Sequence, residues 1–570
     1  MNRELSIRIT GEAGQGMQTI GIALCQLYKD NGLHVFACPD YMSRIRGGNN
    51  FIQVRVSDQP LHTLRQKADI IVALDKPSIN IHTKNLTPSG VMILDKTKFA
   101  IVDNNQSFLD VPMYSMAAQV GGNELFVNSC AFGVVASLTG IDFKEVEKVL
   151  RSTFDKKEES IITKNIDVAR AGYDFVLGKI KDKKFFLSPG SREKYLLMNG
   201  NEAIALGAIK AGVKFYSAYP MTPSTSIMTT VAHFALKHNI IVEQAEDEIA
   251  AINMAIGASF AGVRAMTGTS GGGFALMTEG VSLAGMTETP VVVVDSQRPA
   301  PATGFPTRTE QADLNLVLYA GHGEFARVIY APGTIAEAFY LTIKAFDVAE
   351  KYQIPVFILT DQHLADCYRN IPAFDLNGIE IKRHIISKEE SKNVRDYKRY
   401  QLTESGISPQ AVPSWIEDVF YADSDEHTEE GHITEDAGVR TAMVEKRFHK
   451  KMEALKKQIE KPTAENIEKA EVVCLGFGST YGVLKEASRA VKNKKIGFIH
   501  LSQVWPFPEK EIAGLLKNAK KILTVENNAG GQLAALLRQQ TGIKVDGSIL
   551  KFDGRPFDLD FLIEKLSKEI

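Results

Sequence analysis

The sequence predicts a multidomain α/β protein. At 570 residues the chain has room for some three to five domains of about 150 residues each. Strand patterns run directly into turns and helix patterns at Leu5 to Thr10, at Val213 to Ala218 and at Val472 to Leu475, which is the order of elements in sheet-and-helix folds. The composition, 44% hydrophobic and 24% charged, supplies enough apolar material for several cores.

Charge and cysteine usage narrow the function classes. A net charge of −2 gives no general electrostatic case for nucleic acid or an acidic membrane. No apolar run reaches the roughly 18 residues of a membrane span, and Met1-Asn2-Arg3-Glu4 enters a strand pattern without a signal peptide. A cytoplasmic location is expected. The cysteines, Cys25, Cys38, Cys130, Cys367 and Cys474, never stand as CxxC, so no zinc or iron–sulfur ligand set is expected on this chain. Any electron-carrying cluster would belong to another polypeptide.

In the first domain, residues 1–183, Gly11-Glu12-Ala13-Gly14-Gln15-Gly16 joins the first strand to a helix over Met17 to Asp30. Strand, glycine turn and helix N-terminus together suit a phosphate or pyrophosphate, although a tight turn alone needs the same glycines. The spacing is neither the dinucleotide fingerprint nor a triphosphate loop. A second strand, His34 to Cys38, leads to Ser43-Arg44-Ile45-Arg46-Gly47-Gly48, where two guanidiniums and an open backbone could approach an anion. An ordinary solvated loop is the alternative. Asp40 stands near the position of a ribose-binding acid, which keeps a nicotinamide cofactor open. Ile70 to Leu74 and Val91 to Leu94 add further apolar segments, and a mainly parallel sheet is expected.

A basic connection over 184–195 precedes the central domain, 196–380. Asn199 to Glu202 caps a helix. After the strand Val213 to Ala218 comes Tyr219-Pro220-Met221-Thr222-Pro223-Ser224-Thr225, in which hydroxyls gather at a helix start. They suit a carboxylate or phosphate, or plain N-capping. Glu243, Glu246, Asp247 and Glu248 then face the small apolar run Ile249 to Val263. A carboxylate against such a wall favours sharing a proton with a bound base, while helix-dipole placement accounts for Glu246 or Asp247. Thr267 to Gly273 is predicted as a loop of hydroxyls and glycines. The strand Val291 to Asp295 delivers Arg298 to the sheet's carboxyl edge, where a guanidinium can meet a substrate carboxylate.

Residues 381–465 are charge-rich and predict a surface arm or subunit contact. Glu426 to His432 matches no strong metal-ligand pattern, and Val439 to Glu460 predicts a charged helix. A last α/β unit, 466–570, has strands at Val472 to Leu475, Ile496 to Leu501 and Ile522 to Val525.

The strings YPMTPST, QAEDEIAA, TSGGG and SQRPAPATGFPTRTEQ together resemble the α subunit of 2-oxoacid:ferredoxin oxidoreductases, and GEAGQG and SRIRGG resemble that family's γ domain, here fused ahead of α. The likeness covers nearly the whole chain. It implies a γ-like α/β domain, a thiamine-diphosphate pyrimidine-type α/β domain and a transketolase C-terminal-like α/β domain. It implies oxidative decarboxylation of a 2-oxoacid to an acyl-CoA with reduction of ferredoxin. Thiamine diphosphate would be shared with a β subunit holding magnesium, the diphosphate site and an iron–sulfur cluster, in an (αβ)2 assembly. Carried over by motif, Glu248 hydrogen-bonds the aminopyrimidine ring nitrogen, with Glu246 the competing choice. Thr222, Arg298, Thr303 and Thr307 surround the 2-oxoacid. Gly11, Gly14 and Gly16, with Ser43, Arg44, Arg46, Gly47 and Gly48, hold coenzyme A. No metal ligand is assigned to this chain.

Among substrates the fused γα arrangement favours 2-oxoglutarate, hence succinyl-CoA; pyruvate and branched-chain or aryl 2-oxoacids stay open. Two other classes remain: a nicotinamide-dependent oxidoreductase using the N-terminal loop, and a non-catalytic scaffold.

Overall fold

A computed structural model describes residues 4–44, 47–102, 105–179, 184–190, 193–491 and 495–569. The chain forms two compact units. One comprises Met1–Met198, Asp366–Ala373 and Phe557–Lys568, and the other Asn199–Ala365, Phe374–Pro556 and Glu569–Ile570.

The first unit is built on β1 (Glu4–Ala13), β2 (His34–Asp40), β3 (Gly47–Ser57), β4 (Ala68–Ala73), β5 (Leu86–Leu94), β6 (Phe108–Asp110) and β7 (Tyr195–Met198). With the strand Tyr368–Pro372 they form one sheet, in the order β6, β5, β4, β1, β3, β2, Tyr368–Pro372, β7. The expected mainly parallel sheet is corrected to a mixed one. β6, β5, β4 and β1 run parallel, but β3 is antiparallel to both β1 and β2. The chain between β2 and β3, residues 41–46, is too short for a parallel crossover, which takes a dozen residues or more. Helix α1 (Met17–Asp30) packs on this sheet, and α2 (Lys76–His82) and α3 (Val127–Thr139) follow it in the chain. Gly133 of α3 lies so near the Ala169 carbonyl of the helix Glu159–Leu177 that a Cβ would stand 1.9 Å away. Absence of a side chain permits that close helix packing.

The second unit carries two sheets. The larger contains β8 (Phe215–Ala218), β9 (Ile241–Gln244), β10 (Ala265–Thr269), β11 (Val291–Gln297), β12 (Val328–Tyr330) and β13 (Pro355–Asp361) in the order β12, β13, β11, β10, β8, β9. These are mutually parallel, and Gln503–Trp505 adds an antiparallel edge beside β12. Asn199 and Glu202 form the capping box of α4 (Gly200–Lys210). Three further helices, α5 (Thr225–His238), α6 (Glu248–Phe260) and α7 (Gly271–Met286), follow β8, β9 and β10. The expected loop at Thr267 to Gly273 is corrected: β10 ends at Thr269 and the glycines form the first turn of α7. The smaller sheet orders Thr463–Glu465, Ile496–Leu501, Val472–Phe477, Lys521–Glu526 and Gly547–Leu550.

The charged arm is more deeply built in than its composition predicts. Its helix runs Ala437–Val444, opens into a π turn at Glu445–Lys450 and resumes at Lys451–Lys456. Lys446 and Lys451 are buried there against Glu288, with N–O distances of 2.5 and 2.6 Å. Arg399 donates to the Glu288 carbonyl at 2.6 Å. Among the described residues no helix is long and apolar enough to cross a membrane.

Candidate functional site

Glu248 is the first residue of α6, and Asp247 caps that helix by accepting the Ala250 N–H at 2.8 Å. The two neighbouring acids therefore separate: Asp247 and Glu246 are exposed, while Glu248 is 3% exposed. The Thr269 hydroxyl, at the end of β10, lies 3.4 Å from Glu248 Oε1. Glycines of α7 make room for this arrangement. A Cβ on Gly273 would stand 2.1 Å from Thr269 Oγ1 and 2.3 Å from Glu248 Oε1. One on Gly271 would stand 2.3 Å from Asp313 Oδ2, whereas Gly272 meets only the Ala302 carbonyl, at 3.8 Å. Two carboxyl groups thus occupy the space that side chains on Gly271 and Gly273 would fill.

Arg298 follows β11, as the sheet's direction requires, and its Nη1 donates to the Thr222 carbonyl at 2.7 Å. This bond joins two candidate residues from chain segments far apart in sequence. Burial pulls the guanidinium below its ordinary value, and nearby Asp313 and Glu248 oppose that. Thr307 is buried, whereas Thr303 is on an exposed turn. The hydroxyls after Thr222 do not form a simple cap: Ser224 Oγ donates to the Met221 carbonyl at 2.8 Å and makes no cap bond to α5. The loop beginning at Arg298 is anchored at its far end by Gln311. Its side chain donates to the Phe477 carbonyl at 3.0 Å, and its backbone N–H donates to the Asn527 carbonyl at 2.7 Å.

Two buried acids, Asp295 and Asp313, had no role in the sequence reading. Asp295 ends the apolar face of β11 and is fully buried, and neither carboxyl oxygen has a hydrogen-bond partner. Burial, then the neighbouring Asp313, raises its pKa well above the carboxylate range. Asp313 stands at the N-cap of a short helix, α8 (Leu314–Leu318), without capping it. Its backbone N–H donates to Gln297 at 3.0 Å, and its carboxyl is pushed up to about 6 by burial, which Arg298 counteracts. The acid at the end of the VVVV run was a usable signal for Asp295. Nothing local marks Asp313.

The glycine candidates of the first unit also converge. Antiparallel pairing of β1 and β3 sets Gly11 opposite Asn50 and Ala13 opposite Gly47, so the GEAGQG turn and the Gly47-Gly48 strand start are neighbours. Gly16 is the left-handed N-cap of α1, with φ of 72° and no side chain to occupy the helix N-terminus. Asn128, at the start of α3, donates to the Gln15 carbonyl while its Oδ1 is buried without a partner. Asn50 accepts the Met42 N–H at 2.7 Å and donates to the Gly47 carbonyl at 3.3 Å, tying the intervening loop at both ends. Gly14, Ser43 and Arg44 are exposed; Arg46 lies outside the described residues. Asp40 ends β2 in electrostatic reach of Arg8, whose guanidinium burial pulls down to about 10.

In the arm, Glu426 accepts from both Arg440 and Arg447 at 2.6 to 2.8 Å. His427 lies against the Tyr400 ring, with centroids 4.0 Å apart. These side chains serve the fold of the arm.

Comparison with known proteins finds the same family along the chain. Residues 206–446 match the model of the thiamine diphosphate-binding part of pyruvate flavodoxin/ferredoxin oxidoreductases. Residues 6–175 match the pyruvate ferredoxin/flavodoxin oxidoreductase model and 470–558 match pyruvate:ferredoxin oxidoreductase core domain II. The 2-oxoacid:ferredoxin oxidoreductase subunit alpha of Sulfolobus sp is 34% identical over 99% of this chain and 97% of its own. The 2-oxoglutarate oxidoreductase subunit KorA of Mycobacterium tuberculosis is 28% identical over 97% and 90%. A solved 2-oxoglutarate:ferredoxin oxidoreductase of Magnetococcus marinus, with 2-oxoglutarate, coenzyme A and succinyl-CoA bound, superposes with a TM-score of 0.93 at 30% identity, covering all of both chains. With its motifs, its α/β sheets and these full-length matches, the chain belongs to the 2-oxoacid:ferredoxin oxidoreductase family, as a subunit of the alpha type.

Proposed function

We propose that this chain supplies the pyrimidine side of a thiamine diphosphate site and takes part in oxidative decarboxylation of 2-oxoglutarate to succinyl-CoA and CO2, with electrons passed to ferredoxin. The observation that carries the proposal is Glu248: a carboxylate buried at a helix start, with a single hydroxyl at 3.4 Å. Such a group can accept a hydrogen bond from, or share a proton with, a ring nitrogen placed beside it. The glycine turn that opens α7 makes room for the Glu248 carboxylate beside it. These residues fit the aminopyrimidine end of the cofactor. When bound, thiamine diphosphate would supply the carbon nucleophile and the electron sink for loss of CO2.

Each side chain then has a task in substrate handling. Arg298 presents its guanidinium to the 2-oxoacid carboxylate, held by the Thr222 carbonyl. Thr222, Thr303 and Thr307 offer hydroxyls to orient the carboxylate or keto oxygen. Glu248 holds or releases a proton at its carboxylate. In the 1–183 domain, Gly11, Gly14 and Gly16, with the 43–48 loop, hold coenzyme A. The uncapped N-terminus of α1 suits an anionic group, and the unpartnered Asn128 Oδ1 can accept from a donor on the same ligand. A separate β subunit carries the magnesium–diphosphate site and the iron–sulfur cluster, and the complex is (αβ)2. In this reading 184–195 is the linker, 196–380 the pyrimidine domain, 381–465 the arm and 466–570 the C-terminal domain, although Asp366–Ala373 and Phe557–Lys568 pack with the first unit. The 2-oxoglutarate-active relatives support the substrate choice.

The test is Glu248→Gln in the complex reconstituted with its β subunit, assayed with 2-oxoglutarate, CoA and a viologen acceptor. Loss of about 10²–10⁴-fold in turnover is expected. Activity within twofold of the unsubstituted complex rejects the assignment, and a preference for pyruvate in the same assay rejects 2-oxoglutarate.

A further inference from the structure

The cysteines are scattered in sequence, but two of them meet in the fold. β2 and the strand Tyr368–Pro372 are antiparallel, with Arg369 opposite Phe36 and Tyr368 opposite Ala37. The next step of that register sets Cys367 opposite Cys38. Their Sγ atoms lie within 4.8 Å of each other and form no disulfide. With Phe36, Leu61 and Leu64 they make one small buried cluster in the first unit. Opposed residues of an antiparallel pair have Cα atoms about 4.5–5.5 Å apart, inside the roughly 4.4–6.8 Å that a disulfide spans. Hydrogen bonds on either side hold the strands at this approach. Tyr41 Oη donates to Asp366 Oδ2 at 2.9 Å, and the Val35 N–H donates to Asn370 Oδ1 at 2.8 Å. The two sulfurs therefore need side-chain rotation, not strand movement, to bond.

We propose that Cys38 and Cys367 are a reversible dithiol–disulfide site, oxidised by hydrogen peroxide, that fastens the strand Tyr368–Pro372 to β2. Peroxide suits the site because the two residues are only 6% and 4% exposed, and it is smaller than any thiol-containing disulfide. One sulfur attacks a peroxide oxygen, breaking the O–O bond to give a sulfenic acid and one water. The second sulfur then displaces the hydroxyl as another water and closes the S–S bond. In sum the two thiols lose two protons and two electrons, and the peroxide is reduced to two waters. A facing thiol traps the sulfenic acid before further oxidation, which a solitary buried cysteine cannot do. Disulfides of this kind in a reducing compartment are transient and redox-sensing. The bond joins segments far apart in the chain, the case in which a cross-link most restricts opening. Cys25 and Cys130 lie in the main core of the first unit, and Cys474 on the strand Val472–Phe477; they serve as internal controls.

The test treats the complex reconstituted with its β subunit with graded hydrogen peroxide. Denaturation in an alkylating agent and proteolysis without reductant follow, and the peptides are weighed. The expected product is a pair of peptides joined through Cys38 and Cys367, two hydrogens lighter than the separate peptides and parted by dithiothreitol. Cys25, Cys130 and Cys474 should be recovered alkylated. In the oxidised complex, hydrogen exchange of the Tyr368 to Ile371 amides should slow several-fold, because opening that strand must now work against the cross-link, and should recover on reduction. Cys38→Ser and Cys367→Ser should each abolish the joined peptides and make the exchange indifferent to peroxide. Recovery of both cysteines as thiols, at a dose that oxidises the exposed Met42, overturns the proposal without any variant. So does sulfinic acid at either position in place of the cross-link, or linkage of either to Cys25, Cys130 or Cys474. Unchanged exchange in fully linked protein overturns the fastening role. None of these readings uses turnover, so they stand apart from the reaction assigned to the complex.

Discussion

Gly273→Ala reverses the usual rule for helices. Alanine in a helix interior is ordinarily worth about 0.5–1 kcal/mol over glycine. Here the new methyl would collide with Thr269 Oγ1 and Glu248 Oε1, an overpacking cost of about 1–3 kcal/mol. The variant should melt at lower temperature and lose turnover by displacing Glu248. Gly272→Ala, whose Cβ meets only Ala302 O at 3.8 Å, should leave the melting temperature nearly unchanged; equal destabilisation by both would reject this account. The sequence displayed the TSGGG string and the four acids, and the apolar run after Glu248 already singled that acid out. It could not display which side chain each glycine makes room for, since Asp313 arrives from 42 positions further on.

For the elements, the clearest case is the β1–α1 turn. Period-two alternation ending in glycines, then an apolar stripe of helical period, placed the helix at Met17–Asp30, where it stands. The strand β3 went unread because it opens with Gly-Gly-Asn-Asn, residues that signal a turn. That omission also produced the expectation of a mainly parallel sheet, since β3 is the strand that reverses direction. Gly16→Ala tests the element: φ of 72° strains any L side chain, and its Cβ would stand 2.5 Å from Asn128 Nδ2. A loss of about 1–2 kcal/mol in stability is expected, together with a several-fold rise in KM for CoA and little change in KM for the 2-oxoacid. A CoA KM that stays level removes the turn from the CoA site.

At the scale of the molecule, the arm's attachment rests on buried charge. Burial alone would raise the Glu288 carboxyl, but Lys446, Lys451 and Arg399 outweigh it and hold the group well below the ordinary range. A depressed carboxylate contributes its full stability above the unfolded-state pKa, and that contribution drains away as pH falls through the acid range towards the folded-state value. Glu288→Gln leaves the cations uncompensated and should cost about 3–5 kcal/mol, with a melting temperature less sensitive to acid than that of the unsubstituted chain. A loss below about 1 kcal/mol would show that the cluster is not what fastens the arm. Composition read this arm as surface because Glu288 and Lys446 are 158 positions apart, and charge runs carry no label for burial. The elements that were legible, such as β1, α1 and β11, are those whose apolar pattern is local.

Gln311 has an implication for engineering substrate choice. Because it ties the segment following Arg298 to Phe477 and Asn527, exchanging residues 299–310 between homologues would graft a hinge onto a foreign socket. A chimera aimed at a new 2-oxoacid would have to import the turn around Asn527 and Asn528 as well, or it would inherit the donor's chemistry without the donor's alignment.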